Sequence, residues 1–399
     1  MNWHKILWSL WFGVIISSTS YTMLLPFLPL YLGDLGADHQ MIKLWSGAVF
    51  AVTFLVSAVM SPLWGRLADK AGKRRMLIRA GLSLSFVYFL GSLVRSPLEL
   101  FFMRMLQGFA TGFVPAALSI VASTAPEDKL GFSLGIMQTA TLTGTILGPL
   151  FGGGLAHLFG IRASFSVASV CILAGTAAVW LLVPEPERRP ASTQTGSIVS
   201  DLQAAFADPL MKNVLGLVVI TQIGIMMLQP LLALHVADLQ GGGEGVVLTS
   251  GVIFSASGIA GAIAAPLWGR MGQRAGFRKI LAIGFAGSGF FSLFPYFTAN
   301  IWLFGLLQFA FGFFIAAVYP ALNTLMAMHT DASFRGRAFG LMMSANQVGS
   351  LIGPLLGTIA SVWLGIRVIF VCVGLFLLTT GLIIWRGRQR PAVMSCHKS

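Results

Sequence analysis

The chain is predicted to fold as an all-α membrane protein, with twelve transmembrane helices in two parallel-repeat six-helix bundles and both termini in the cytoplasm. Three observations predict it. The composition is too apolar for a soluble surface, the apolar runs have spanning length, and the second half of the chain repeats the first.

Of the 399 residues, 56% are hydrophobic and only 10% charged, against about 25% charged in soluble domains. Mean hydropathy is +0.82, and a water-exposed surface cannot be assembled from that inventory. The apolar runs are continuous and about 20 residues long, as a spanning helix needs. A membrane β-barrel would instead show alternating segments of about 10 residues. The 46 glycines suit close helix contacts in lipid, where small residues let backbones approach. Cys171, Cys372 and Cys396 fall in no redox or zinc spacing, so neither a disulfide framework nor a metal site is expected.

Spans are expected at roughly 7–32, 44–64, 77–95, 98–122, 132–157, 161–183, 213–236, 247–268, 280–298, 301–327, 337–361 and 366–385. The first is too long for a secretory signal and has no small-residue cleavage site, so it reads as a span. Orientation follows from the basic residues. With both termini inside, 21 of the 26 Lys and Arg lie on the inner side. Only Lys43, Arg95, Arg162 and Arg367 fall outside, and Arg104 lies within a span. That is the asymmetry of the positive-inside rule. It also accounts for the net charge of +13: the basic residues face anionic lipid, and no nucleic-acid partner is needed.

The longest polar segment, "PEPERRPASTQTGSIVSDLQAAFADPLMK" from Pro184 to Lys212, is rich in Pro, Ser and Thr and ends in a short amphipathic stretch. It divides the chain into an N-terminal bundle (1–183), a cytoplasmic linker (184–212), a C-terminal bundle (213–385) and a cytoplasmic tail (386–399). The two bundles match. "SPLWGRLADKAGKRRML" from Ser61 returns as "APLWGRMGQRAGFRKIL" from Ala265, and "PFLPLYLGDL" from Pro26 as "PLLALHVADL" from Pro230, both at an offset of 204. "GPLFGGGLAHLFGIR" from Gly148 returns as "GPLLGTIASVWLGIR" from Gly353, at 205. Six spans repeated in the same membrane sense form one known plan of secondary transporters, with the substrate site at mid-depth between the halves.

The repeated hinge carries a motif. Gly65 lets the second span approach a neighbour, Asp69 lies one turn later, Gly72 permits the turn, and Lys73 and Arg74 reach the lipid surface. Gly65-x-x-x-Asp69-Lys70-x-Gly72-Lys73-Arg74 resembles the hallmark loop of the major facilitator superfamily. The resemblance implies that this loop latches the cytoplasmic ends of the halves when the transporter faces outward. Positive-inside anchoring alone suits Arg74, Arg75 and Arg79. The second copy has Gln273 in place of Asp69, which implies a weaker latch.

Arg104 is the one charge well inside a span. An arginine at the centre of a spanning helix costs about 2.5–3.5 kcal/mol on insertion scales. Arg104-x-x-Gln107-Gly108 is similar to the superfamily's fourth-span motif, whose arginine is tied to proton transfer. All 13 carboxylates lie in loops or at span ends, so a buried acid relay is missing. The proton-coupling candidates are Asp34, its repeat mate Asp238, and His235 one turn before Asp238. Asp34 is expected to pair with Arg104.

The fifth span holds Gly135, Gly144, Gly148, Pro149, Gly152 and Gly153, a face of small residues with a proline kink. This spacing resembles the motif of twelve-span drug:proton antiporters and almost recurs at Gly340, Gly349, Gly353, Pro354 and Gly357. The resemblance covers essentially the whole chain, and it implies bacterial multidrug efflux at the inner membrane. Gln107, Gln138, Gln222 and Met226 are expected to line the cavity, with Gln229, Tyr319, Asn323 and Asn346. Met and Phe make surfaces that adapt to varied ligands.

Enzyme readings lack parts. "AGKRRM" has neither the hydroxyl nor the spacing of a phosphate loop, and no catalytic or metal-ligating set is grouped. The expected partners are lipophilic or cationic small molecules, protons and membrane lipids. The protein is expected to act as a monomer and without a cofactor. Export of one metabolite, a sugar or an amino acid, is the alternative within transport. A non-transporting membrane sensor on the same fold is the alternative outside it.

Overall fold

A computed structural model of the chain describes residues 3–38, 41–126, 129–185, 203, 205–241, 245–330 and 335–386. Within these, the side chains at positions 62, 66, 69, 70, 130–132 and 335–337 are not described. All regular structure among the described residues is helical.

Helix α1 runs from Trp3 to Asp34 and is interrupted by one 3₁₀ turn, Leu25–Phe27, where Pro26 cannot donate to the ladder. It is followed by α2 (Ile42–Ala71) and α3 (Lys73–Leu93). Helix α4 (Pro97–Thr124) breaks between Phe109 and Phe113. Helices α5 (130–159) and α6 (161–182) are parted by Gly160, at φ 83° and ψ 162°. The second half begins with α7 (Pro209–Gln240), α8 (Val246–Ala275) and α9 (Phe277–Leu293). Then follow α10 (Ile301–His329, broken between Ile315 and Val318), α11 (Arg335–Leu364) and α12 (Ile366–Arg386). These are the twelve apolar spans expected. Helix α7 starts at Pro209 rather than 213, because the Asp208 side chain caps it by accepting from the N–H groups of Leu210 and Met211. The tail beyond 386 and linker residues 186–202 lie outside the described residues.

Repetition in sequence is repetition in conformation. Gly72 (φ 106°, ψ 138°) joins α2 to α3, and Gly276 (φ 90°, ψ 133°) joins α8 to α9. Gly160 and its mate Gly365 (φ 82°) both break the chain at positive φ, a region costly for any residue with a Cβ. Trp64 Nε1 donates to the Phe109 carbonyl at 2.9 Å, and 204 residues on Trp268 donates to Phe313 at 2.8 Å.

Packing within each half follows the small residues. Gly144, Gly148 and Gly152 seat α5 on α1: a Cβ there would strike Ser18, Thr22 and the Met23 carbonyl respectively. Thr22 also donates to the Gly144 carbonyl at 3.0 Å. Their repeat mates Gly349, Gly353 and Gly357 seat α11 on α7 against Gln222, Met226 and Met227. In lipid such van der Waals fit, rather than water exclusion, holds helices together. Between α3 and α6, Ser85 and Ser169 exchange hydroxyl bonds at 2.8–3.2 Å. The same place in the second half holds Gly289 and Gly374, and the backbones of α9 and α12 close directly on each other.

The halves meet through two equivalent helix pairs, α2 with α11 and α5 with α8. At the end distal to the hinges, Lys43 Nζ donates to the Ser361 carbonyl at 3.3 Å, and Gly47 abuts Thr358 and Pro354. Across the pseudo-axis, Gly251 abuts the Pro149 carbonyl and Gly153 abuts Val247 and Leu248. At mid-depth Ser255 Oγ donates to the Ile146 carbonyl at 2.8 Å, and Gln347 Nε2 to Ser57 Oγ at 3.3 Å. Toward the hinge end, a methyl group on Gly65, Gly269, Gly135 or Gly340 would meet nothing within 4 Å. Among the described residues, the halves are closed at the distal end and parted at the hinge end.

Candidate functional site

Polar side chains inside the spans gather into two networks, one in each half. In the first, Arg104 on α4 is 2% exposed. Its Nε donates to the Val49 carbonyl of α2 at 3.3 Å, and its Nη1 to Gln107 Oε1. Gln107 Nε2 donates to the Tyr88 hydroxyl at 3.1 Å, and Tyr88 donates to the Tyr21 carbonyl at 3.2 Å. Thr53 donates to the Arg104 carbonyl at 2.9 Å, and Arg104 Nη2 is buried without a hydrogen-bond partner. Close approach of α2 makes this possible: a Cβ on Gly108 would meet the Thr53 carbonyl at 2.5 Å. Gly312 makes the matching approach to Ser257 in the second half, where the buried mate of Arg104 is Gln308.

The second network joins α7, α10 and α11. Tyr319 donates to Gln222 Oε1 at 2.5 Å, and Asn346 Nδ2 donates to the Tyr319 hydroxyl at 2.8 Å and to Gln222 Oε1 at 3.2 Å. Gln222 Nε2 donates to Ser350 Oγ at 2.9 Å. Three of the residues expected to line the cavity are thus brought together by side-chain chemistry. Gln229, two turns along α7, leaves Oε1 buried and unpartnered.

Other expected residues stand elsewhere. Gln107 is 1% exposed and serves Arg104 rather than an open cavity. Met226 fills the contact with Gly353 of α11. Gln138 and Asn323 are exposed toward the hinge-end parts of α5 and α10. The expected pairing of Asp34 with Arg104 is absent. Asp34 ends α1 in the field of Arg162, whereas the partners of the Arg104 side chain are one carbonyl, one amide and the face of Phe50, 5.7 Å away. His235 and Asp238 do not work together either: His235 is fully buried between Phe304 and Phe370 with both ring nitrogens unpartnered. Asp238 is exposed at the distal end of α7.

At the hinge, Gly72 stands at φ 106°, and the Glu185 carboxylate lies beside it, accepting from the Arg74 N–H in the first turn of α3 at 3.2 Å. Lys73 Nζ donates to the Ser119 carbonyl at 3.2 Å, and Arg74 Nη2 to the Trp180 carbonyl. The Asp69 side chain lies outside the described residues. Arg79 lies over Trp64, 3.7 Å from the ring centroid, and donates to the Thr111 carbonyl at 2.9 Å, which the break in α4 leaves free. Thr111 Oγ1 in turn receives Ser57 at 3.4 Å, which receives Gln347 of the other half.

Sequence reading missed Tyr21, Tyr88, Ser57 and Gln347, and took Arg79 for a membrane-surface anchor, whereas it packs on Trp64 and donates to Thr111. A lone tyrosine in an apolar run carries no periodic signal, and only the cross-half packing selects which face of α11 points at α2.

The model of the Major Facilitator Superfamily matches residues 10–252 and 214–395. The chain belongs to the Major Facilitator Superfamily. Among relatives, Multidrug resistance protein MdtG of Escherichia fergusonii is 34% identical over 400 residues, covering 99% of this chain and 98% of that one. MdtG of Proteus mirabilis is 33% identical over 374 residues, 92% of each chain. Among solved structures, the nucleoside transporter NupG aligns with TM-score 0.79 at 15% identity over 98% of this chain and 100% of that one. The human organic anion transporter MFSD10 (TETRAN) aligns with TM-score 0.70 at 18% identity, over 96% and 100%. This facilitator is a secondary transporter and not an enzyme, and it crosses the membrane many times.

Proposed function

We propose that the protein exports amphipathic compounds, drugs included, across the bacterial inner membrane in exchange for protons. The observation that carries this reading is similarity over nearly the full chain to proteins named for multidrug resistance. The seating of α5 on α1 by Gly144, Gly148 and Gly152 supports it, because those glycines belong to the antiporter-like spacing.

The cavity chemistry agrees. Gln222, Tyr319, Asn346 and Ser350 satisfy one another. An apolar ligand passing them therefore strands no buried donor or acceptor, which would cost about 1–3 kcal/mol.

The halves rock about their mid-depth contacts, Ser57 with Gln347 and Ser255 with Ile146. Parted hinge ends admit a compound from the cytoplasm, and the distal ends part to release it. One charge moving through 100 mV supplies about 2.3 kcal/mol, enough for roughly a fiftyfold gradient of a neutral substrate. Arg104, with one N–H group unpartnered, and Asp34 are the groups proposed to couple proton movement to this cycle.

Purified protein in liposomes with an imposed pH gradient provides the test. Gradient-dependent accumulation of ethidium, with proton counterflow reported by an internal pH dye, is the expected result. Intact gradients with no flux of several dyes would replace this reading with export of a single metabolite.

A further inference from the structure

A cavity of about 1010 Å³ lies at the hinge end of the second half, at the top of the range that holds small ligands. No residue of α1–α6 lines it, so it stands apart from the passage between the halves. Its walls come from neighbouring helices of the second half, with Leu217 and Ile220 of α7, Ala345 and Val348 of α11, and Ile383 and Ile384 of α12 among them. Val348 is 45% and Ile383 71% exposed. Side chains of that kind at an opening are stable only where the surroundings are themselves apolar, so this crevice opens sideways into lipid.

The two cationic groups stand at one end. Lys212 lies in the first turn of α7 and Arg278 in the first turn of α9, both at the hinge-end boundary of the membrane, and both line the cavity. Among the described residues no carboxylate lines it. Asp208 nearby is engaged in capping α7. An apolar slot running into the bilayer, with two cations at its aqueous end, is complementary to an anionic amphiphile.

We propose that this crevice binds an anionic bilayer phospholipid, its acyl chain lying between α7, α11 and α12 and its phosphate at Lys212 and Arg278. The site goes beyond transport itself. A lipid held there would brace α11, which carries Gln347 to the other half and Asn346 to the polar network.

The test uses full-length protein in phosphatidylcholine vesicles doped with phosphatidylglycerol carrying a photoactivatable acyl chain, or with equally labelled phosphatidylcholine. Mass spectrometry maps the cross-linked peptides. The expected result is labelling of peptides containing Val348 and Ile383, with phosphatidylglycerol favoured roughly tenfold or more. In the double variant Lys212→Glu with Arg278→Glu, that preference is lost. These residues are exposed, so folding is retained, checked by elution volume and thermal midpoint. Val348→Trp lowers crevice labelling by both lipids. Equal labelling by the two lipids in the unaltered protein overturns the proposal, as does a preference that survives the charge reversal. Displacement of the cross-link by a transported dye would reassign the crevice to transported amphiphiles and overturn it equally.

Discussion

Gly153 of α5 lies against Gly251 of α8, with a Cβ built on Gly153 only 3.4 Å from the Gly251 Cα. Eighteen residues are five helical turns and about 27 Å, so a residue eighteen places along faces the same way. Eighteen before Gly153 is Gly135, and eighteen after Gly251 is Gly269. Both now stand in open space at the hinge end. Because α5 and α8 run antiparallel, closure of the hinge end is expected to bring Gly135 to Gly269. The other pair obeys the same spacing: Gly47 abuts Thr358, and eighteen residues away along their helices stand Gly65 and Gly340.

Substitution at the open glycines separates gating from folding. Gly135→Leu or Gly269→Leu has room in this state, so the thermal midpoint moves by no more than about 0.5 kcal/mol equivalent. Once the hinge end closes, the added side chain is overpacked by about 1–3 kcal/mol, which favours the hinge-open state by roughly 5- to 150-fold. Cysteine accessibility at the hinge end should rise and transport should fall. Unchanged accessibility and normal transport would exclude the contact.

At the seated glycines the opposite pattern is expected. Gly152→Leu drives a side chain into the Met23 carbonyl of α1 within one rigid half. No alternate state relieves that clash, so the variant loses folded yield and thermal stability together, by about 1–3 kcal/mol or more. Gly357→Leu, against Met227 of α7, should do the same. Normal stability with impaired transport in either variant would show that these glycines move during the cycle.

Arg104 is buried with carbonyl and amide partners and no carboxylate. Desolvating a guanidinium without an opposite charge is expensive, so Arg104→Leu should leave stability within about 1 kcal/mol of the parent, despite two lost hydrogen bonds. Proton-driven flux should drop at least tenfold. Arg104→Lys, which cannot reach Val49 and Gln107 in the same fork, should transport poorly as well. A large fall in the Arg104→Leu thermal midpoint would mean that the arginine is structural first.

Much of the fold was legible because lipid imposes simple demands. Each span needs an apolar run of fixed length, and duplication wrote every boundary twice, so that Gly160 is recognisable from Gly365 and Gly72 from Gly276. The glycines of α5 were legible as a close-packing face, but their partner was not, since spacing does not say which helix is approached. Asp34 was placed with Arg104 because both lie toward the outer side of their spans. The break at Pro26 belongs to an α1 whose end meets Arg162 instead. The tyrosine–glutamine chain from Arg104 to Tyr21 depends on three helices meeting at one depth, which no single-helix pattern encodes.

Tyr319→Phe tests whether the second network tunes selectivity. The hydroxyl donates to Gln222 and accepts from Asn346, and its removal should cost about 1 kcal/mol of stability. Asn346 still donates to Gln222 Oε1 at 3.2 Å, so that acceptor keeps one partner. What is lost is one of the two donors that occupy Gln222 Oε1. Gln222 is then free to accept from a substrate, and compounds with hydrogen-bond donors should gain relative to purely apolar ones. The measurement is the ratio of initial export rates for matched dyes with and without an amine. A rise of about threefold to tenfold is expected, and an unchanged ratio at reduced stability would confine Tyr319 to a structural role.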